Sequence, residues 1–141
     1  MTVKKRNPFK LRDFRGVDSE VVAKLETQRI RNVEQMLVAG CKKEQRSALA
    51  QELEVSEEDI LELVKLSDLA RLPGVKGIRT RLYYDAGVDT VEKMANWEPE
   101  ALREMVTKYI EQTGFAGIPP LPKEVSSTVA NAQKLPKVVD Y

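Results

Sequence analysis

"ARLPGVKGIRTRLY", residues 70–83, contains a helix break followed at once by a second helical pattern. Pro73 and Gly74 end the first run, because proline cannot continue a helix and glycine readily adopts the conformations of tight turns. Beyond them, Ile78 and Leu82 recur at the spacing of one helix face. The stretch therefore predicts two helices joined by a short turn that is rich in basic residues.

The same pattern occurs twice in the chain. "RGVDSEVVAKLETQRIRNVEQM" (15–36) and "PGVKGIRTRLYYDAGVDTVEKM" (73–94) share a Gly-Val pair and three later apolar positions at an offset of 58 residues. Asn32 and Thr90 fall at equivalent positions, where a side chain can cap a helix. This internal repeat predicts duplicated helical hairpins with a connector between them.

Start and stop signals elsewhere predict an all-α fold. Asn32 followed by Gln35 resembles a capping box, and Gly40 is a natural helix stop. Ser56 predicts the start of the run "EEDILELVKL", and Ser67 predicts the start of a further short helix. No segment alternates between apolar and polar residues for long enough to indicate a sheet.

The end of the chain predicts one more helix and an extended tail. "KEVSSTVANAQKL" places its valines on one helix face, and "LPKVVDY" follows it. We expect this tail to pack against the helices as a strap. The alternative is a docking peptide for a partner.

Composition excludes several classes of function. A chain of 141 residues with 42% apolar and 32% charged residues indicates one folded domain. It contains no histidine and a single cysteine, which excludes Ser-His-Asp and Cys-His catalysis, imidazole zinc sites and internal disulfides. No glycine pattern for nucleotides and no long apolar run are present. We therefore expect a cytoplasmic protein that is not an enzyme, with no catalytic residue, metal, cofactor or membrane contact.

Several segments together resemble a known family. "LARLPGVKGIRTRL" is similar to the helix-hairpin-helix motif, whose core reads Leu-Pro-Gly-hydrophobic-Gly. The connector "SEEDILELVKLSDLARLPGV", the segment "AGVDTVEKMANWEPEAL" and the closing "AQKLPKVVDY" extend the likeness over almost the whole chain. The chain resembles a bacterial family of domains of unknown function, with two tandem helix-hairpin-helix-like units and a C-terminal helix ending in an LPxVVxY-type tail.

The resemblance implies a single all-α domain in which two helix-hairpin-helix units are joined by connector helices. Its predicted parts are a basic N-terminal arm (1–13), a first unit (14–40), connector helices (41–68), a second unit (69–96), and C-terminal helices with the tail (97–141).

The resemblance also implies a binding site. In helix-hairpin-helix proteins, backbone N–H groups of the hairpin hold a DNA phosphate at the start of the second helix, which carries no base information. Lys76 and Asp18 stand where the motif has its second glycine, and the carboxylate of Asp18 would repel a phosphate. The predicted nucleic-acid-binding residues are therefore those of the second hairpin: Gly74, Val75, Lys76, Gly77, Arg79 and Arg81.

Charge is sorted along the sequence. Residues 1–46 hold twelve basic and six acidic residues, 47–68 hold one and seven, and 69–81 hold four and none. Basic hairpins suit phosphate binding, and three neutralised phosphates would give a salt slope of about −2.7. Alternatively, the opposed blocks pair with each other within the fold.

These observations predict a non-enzymatic binding module that makes sequence-independent contacts to a DNA or RNA backbone. Arg71 and the arm residues Lys4, Lys5 and Arg6 would add nonspecific attraction. The alternative is a protein–protein adaptor with no nucleic-acid role, for which an apolar surface patch beside an electrically neutral hairpin would be the signature.

Overall fold

The computed structural model describes residues 8–141, which form a short 3-10 turn at Leu11–Asp13 followed by α-helices. Within these residues, β-type pairing is limited to a single bridge between Lys10 and Asn32. The all-α prediction is therefore confirmed for the part of the chain that is described. The helices are α1 (Ser19–Thr27), α2 (Val33–Gly40), α3 (Lys43–Leu53), α4 (Glu57–Leu69), α5 (Ile78–Asp85), α6 (Val91–Ala95), α7 (Pro99–Thr113) and α8 (Pro122–Lys134).

Local capping sets where α2 and α4 begin. The side chain of Asn32 accepts a hydrogen bond from the backbone N–H of Gln35 at 2.9 Å, and the Gln35 side chain accepts one from the Asn32 N–H at 3.2 Å. Ser56 accepts from the N–H of Asp59 at 3.0 Å. Each bond satisfies an amide that the helix itself leaves without a partner. The predicted starts of both helices are confirmed.

The predicted helix start at Ser67 is wrong, because α4 continues through it to Leu69. Ser67 is fully buried, and its hydroxyl has no hydrogen-bond partner in the described residues. Leu66 and Leu69 on either side are also fully buried. Their packing holds the helix together at a residue that, judged by local preference alone, suits a cap.

Two apolar cores fill the fold. The first lies among α1 to α4 and includes Leu11 and Val139, which reach it from the two ends of the described chain. The second lies among α5 to α8 and includes Leu72 and Val75 from the turn after α4. Tyr84 on α5 packs against both cores. The hairpin between α4 and α5 is therefore anchored where the two cores meet.

The repeat in the sequence extends to backbone conformation. Gly16 and Gly74, which are 58 residues apart, have φ angles of +74° and +79°. Arg29 and Gly87, also 58 apart, have φ angles of +62° and +99°. A positive φ angle favours glycine. Arg29 adopts it although it is not a glycine, whereas its counterpart Gly87 is.

The tail after α8 packs against the helices as an extended strap (residues 135–141). Val139 is 2% exposed within the first core, and the hydroxyl of Tyr141 donates a hydrogen bond to the carboxylate of Asp68 at 2.9 Å. The prediction that the tail is a strap is confirmed.

Gly40 provides a test of the packing between α2 and α4. It is the last residue of α2, and a Cβ atom added there would lie 2.6 Å from Cγ2 of Val64. We expect Gly40→Ala to lower the free energy of unfolding by about 1–3 kcal/mol, because a methyl group would overpack a buried contact. Urea denaturation measures this.

The matched control is Val38→Ala in the same helix, where the side chain is 75% exposed. Its effect should stay within about 0.5 kcal/mol. Equal stabilities for the two variants would contradict the close packing at Gly40.

Candidate nucleic-acid interface

The second hairpin (residues 70–77) is a tight turn between α4 and α5. The N–H of Val75 donates to the carbonyl of Leu72 at 3.0 Å, and the Val75 side chain is 2% exposed in the second core. Gly74 and Gly77 have φ angles of +79° and +47°. The buried valine anchors the turn, and the two glycines give it the backbone angles that it needs.

The start of α5 is open in the sense that no side chain in the described part of the chain caps it. Gly77 is its N-cap residue, and the N–H of Arg79 donates to the carbonyl of Lys76 at 3.0 Å. The Thr80 hydroxyl instead donates to the Gly77 carbonyl at 2.8 Å. Lys76 is exposed beside this end and forms no ion pair within residues 8–141. A helix N-terminus next to a free ammonium group favours an anion.

The start of α1, after the first hairpin, is closed. Asp18 is its N-cap residue, and the Asp18 carboxylate accepts a hydrogen bond from the N–H of Glu20 at 2.8 Å. The chain's own negative charge therefore occupies the place that a phosphate would take. Asp18 stands 58 residues before Lys76, so the two hairpins differ in charge at equivalent positions.

Arg79 lies in the first turn of α5 and is held inside the fold. Its guanidinium pairs with the carboxylate of Glu124 on α8 at 2.7 Å and donates to the carbonyl of Ile118 at 2.6 Å. The side chain is only 17% exposed. Arg79 therefore connects the hairpin to α8 and to the loop before it.

Arg81 is buried and has partners from three parts of the chain. Its guanidinium lies 2.6 Å from the carboxylate of Glu62 on α4 and 3.2 Å from that of Asp85 on α5. It also donates to the carbonyl of Arg15 at 2.6 Å. Burial alone would lower the pKa of Arg81, but hydrogen bonds to the two carboxylates outweigh burial and raise it.

The predicted site residues therefore fall into two groups. The four residues from Gly74 to Gly77 lie together in one turn, whereas Arg79 and Arg81 point to separate internal partners. The pairing of Arg81 with the acidic connector is the arrangement expected if the opposed charge blocks pair within the fold.

The remaining basic residues of the prediction lie elsewhere. Arg71 pairs with Asp68 at 2.7 Å and donates to the carbonyl of Pro136, so it holds the strap. The arm residues Lys4, Lys5 and Arg6 are outside the described residues.

Apolar groups lie around the hairpin, and of these only Ile78 belongs to the helical pattern predicted from the sequence. Ile78 is 43% exposed, and Ile118 in the loop between α7 and α8 is 76% exposed. A Cβ atom added to Gly117 would lie 3.3 Å from Ile78, so this loop lies against the start of α5. The ring of Phe9 is 3.9 Å from the position of a Cβ on Gly77. Helical periodicity cannot reveal these contacts, because they join irregular segments.

The described residues also limit other kinds of site. Within residues 8–141, no helix is long and apolar enough to cross a membrane. No group of three or more His, Cys, Asp or Glu side chains in the same part of the chain is arranged to hold a metal ion.

The fold and the hairpin define an all-helical domain with an open helix start at its second hairpin. The model of a family described as "domain of unknown function (DUF4332)" matches residues 15–135, and the chain belongs to this family. No curated protein and no solved structure matches the chain.

Arg81 tests the distinction between the two groups of residues. We expect Arg81→Met to lower the free energy of unfolding by about 2–4 kcal/mol, because two partly buried carboxylates and a carbonyl lose their partner. Urea denaturation of this variant and of Lys76→Met measures the difference. The Lys76 variant should stay within about 0.5 kcal/mol of the parent, and a loss under about 1 kcal/mol for Arg81→Met would contradict its structural role.

Proposed function

We propose that this protein is a non-enzymatic binding module whose second hairpin contacts the phosphate backbone of a nucleic acid without reading its sequence. The ligand is the phosphate group that successive nucleotides share, so the contact carries no base information.

The observation that carries the proposal is the open start of α5 beside Lys76. The helix dipole and the first amides that have no internal partner among the described residues favour an anion there, and the Lys76 ammonium adds a full positive charge. The closed start of α1, where Asp18 supplies the anion, is the internal comparison. The N-cap residue supplies a carboxylate at the start of α1, whereas the N-cap residue of α5 is Gly77, which has no side chain.

Positive charge at this site comes from fewer residues than the sequence predicts. Arg79 and Arg81 serve to position the turn, because their guanidinium groups are committed to internal carboxylates. Lys76 supplies the phosphate contact. A variant that reverses Arg79 or Arg81 would therefore report on folding as well as on binding.

Charge reversal at Lys76 tests the proposal. We expect Lys76→Glu to weaken binding to a duplex of about 20 base pairs by roughly tenfold or more at about 50 mM salt, and to make the salt slope shallower by about 0.9. Fluorescence anisotropy across a salt series measures both quantities.

Lys43→Glu is the matched control. Lys43 is exposed in the first turn of α3, a helix that packs on α2 and α4. Its reversal changes the net charge equally and should alter the affinity by less than about threefold. Equal losses in the two variants would contradict a phosphate contact at the hairpin.

A protein–protein adaptor is the second candidate, and the exposed pair Ile78 and Ile118 favours it. These side chains lie next to a hairpin in which two of the arginines are already neutralised. Exposed apolar groups that cluster in this way mark interaction surfaces.

A photo-crosslinking residue at position 118 tests this candidate in cells. An adaptor would give protein adducts of defined mass at position 118 and none at position 43, together with no DNA binding by the purified chain. Salt-dependent DNA binding that Lys76→Glu abolishes, without adducts at 118, would exclude it.

A further inference from the structure

A second basic surface lies in the first of the two repeated segments (residues 15–36), at the turn between α1 and α2. Backbone pairing builds it: the N–H of Leu11 donates to the carbonyl of Arg31 at 2.9 Å, and the N–H of Val33 donates to that of Phe9 at 2.9 Å. This pairing sets Lys10 opposite Asn32, the residue that follows Arg31, on two extended segments. The surface consists of Lys10, Arg12 and Arg31.

These three residues line one cavity. It has a volume of about 340 Å³ and is lined by Lys10, Arg12, Arg31 and a single carboxylate, Glu26. Glu26 accepts a hydrogen bond from Nε of Arg12 at 3.1 Å, which fixes the Arg12 guanidinium at the rim. Lys10 and Arg31 are exposed, and neither forms an ion pair within residues 8–141. The cavity therefore keeps an excess of positive charge.

We infer that this surface is a second phosphate-binding site, which takes the backbone of a polynucleotide. Guanidinium groups match the geometry of phosphate oxygens, and an ammonium group adds a point charge. The lining consists of charged side chains with no aromatic or apolar residue, so nothing stacks on a base or holds the rest of a small phosphorylated molecule. It also offers no apolar group for insertion into a lipid surface. The site stands on observations separate from those at the second hairpin.

The double variant Lys10→Glu/Arg31→Glu tests the inference. We expect it to weaken duplex DNA binding by roughly tenfold or more at about 50 mM salt and to make the salt slope shallower by about 1.8, because two phosphate contacts are lost. The control is Lys43→Glu/Lys108→Glu, which reverses two exposed lysines on α3 and α7. Both variants should unfold at the parent's urea midpoint, because all four side chains are exposed.

Two further probes identify the source of the phosphate. Inorganic phosphate at about tenfold excess over DNA phosphate should compete weakly, and vesicles of phosphatidylserine and phosphatidylcholine should bind no better than neutral ones. Tight competition by free phosphate, or vesicle binding that Lys10→Glu/Arg31→Glu removes, would overturn the choice of a polynucleotide.

Comparison with Lys76→Glu separates this inference from the proposed function. Loss of binding in Lys10→Glu/Arg31→Glu beyond that of the control supports the second site, whatever Lys76→Glu does. Loss in Lys76→Glu alone overturns the second site and leaves the hairpin as the contact. A parent chain that binds no DNA at low salt overturns both.

Discussion

The guanidinium group of Arg81 holds the two halves of the molecule together. It reaches Glu62 on α4, Asp85 on α5 and the carbonyl of Arg15 in the first hairpin. A partly buried arginine is stable only where its donors have partners, and here those partners come from separate elements. Gly16 packs closely against the Arg81 guanidinium, since a Cβ atom on Gly16 would lie 3.0 Å from Nε of Arg81. One side chain therefore links the segment before α1 to α4 and α5.

These contacts change the interpretation of the positive charge in residues 69–81. Arg71, Arg79 and Arg81 each pair with a carboxylate from α4, α8 or α5, and only Lys76 stays free of ion pairs among the described residues. The rest of the positive charge of this segment is thus neutralised within the chain, by neighbours in the case of Asp68 and Asp85 and by more distant residues in the case of Glu62 and Glu124. Only the few cations that have no ion pair among the described residues indicate where an anionic ligand could bind.

Local signals predict this fold better than they predict the site. The starts of α2 and α4 follow from Asn32 and Ser56, because a capping side chain acts on an amide only three residues away. Ser67 shows the limit, since buried neighbours carry α4 through a residue that resembles a cap. The pair of Arg79 with Glu124 spans 45 residues, and no local spacing encodes such a pair. The motif therefore predicts the turn but not the internal ion pairs that its arginines form.

The two repeated segments share a positive φ angle at 16/74 and at 29/87, but they differ at 19/77, where Ser19 begins α1 and Gly77 has a φ angle of +47°. They also differ in charge. Asp18 and Lys76 occupy equivalent positions with opposite charge, and so do Arg31 and Asp89. Asp89 is neutralised by two lysines, one on α4 and one on α6, whereas Arg31 has no such partner in the described chain. In residues 15–36 the helix start after the hairpin is closed and the next turn is basic. In residues 73–94 the helix start is open and the next turn is neutralised. Among the described residues, a cation without an ion pair thus lies before α2 in the first segment, at Arg31, and before α5 in the second, at Lys76. At each of these positions the other segment has an aspartate that accepts hydrogen bonds from its own chain.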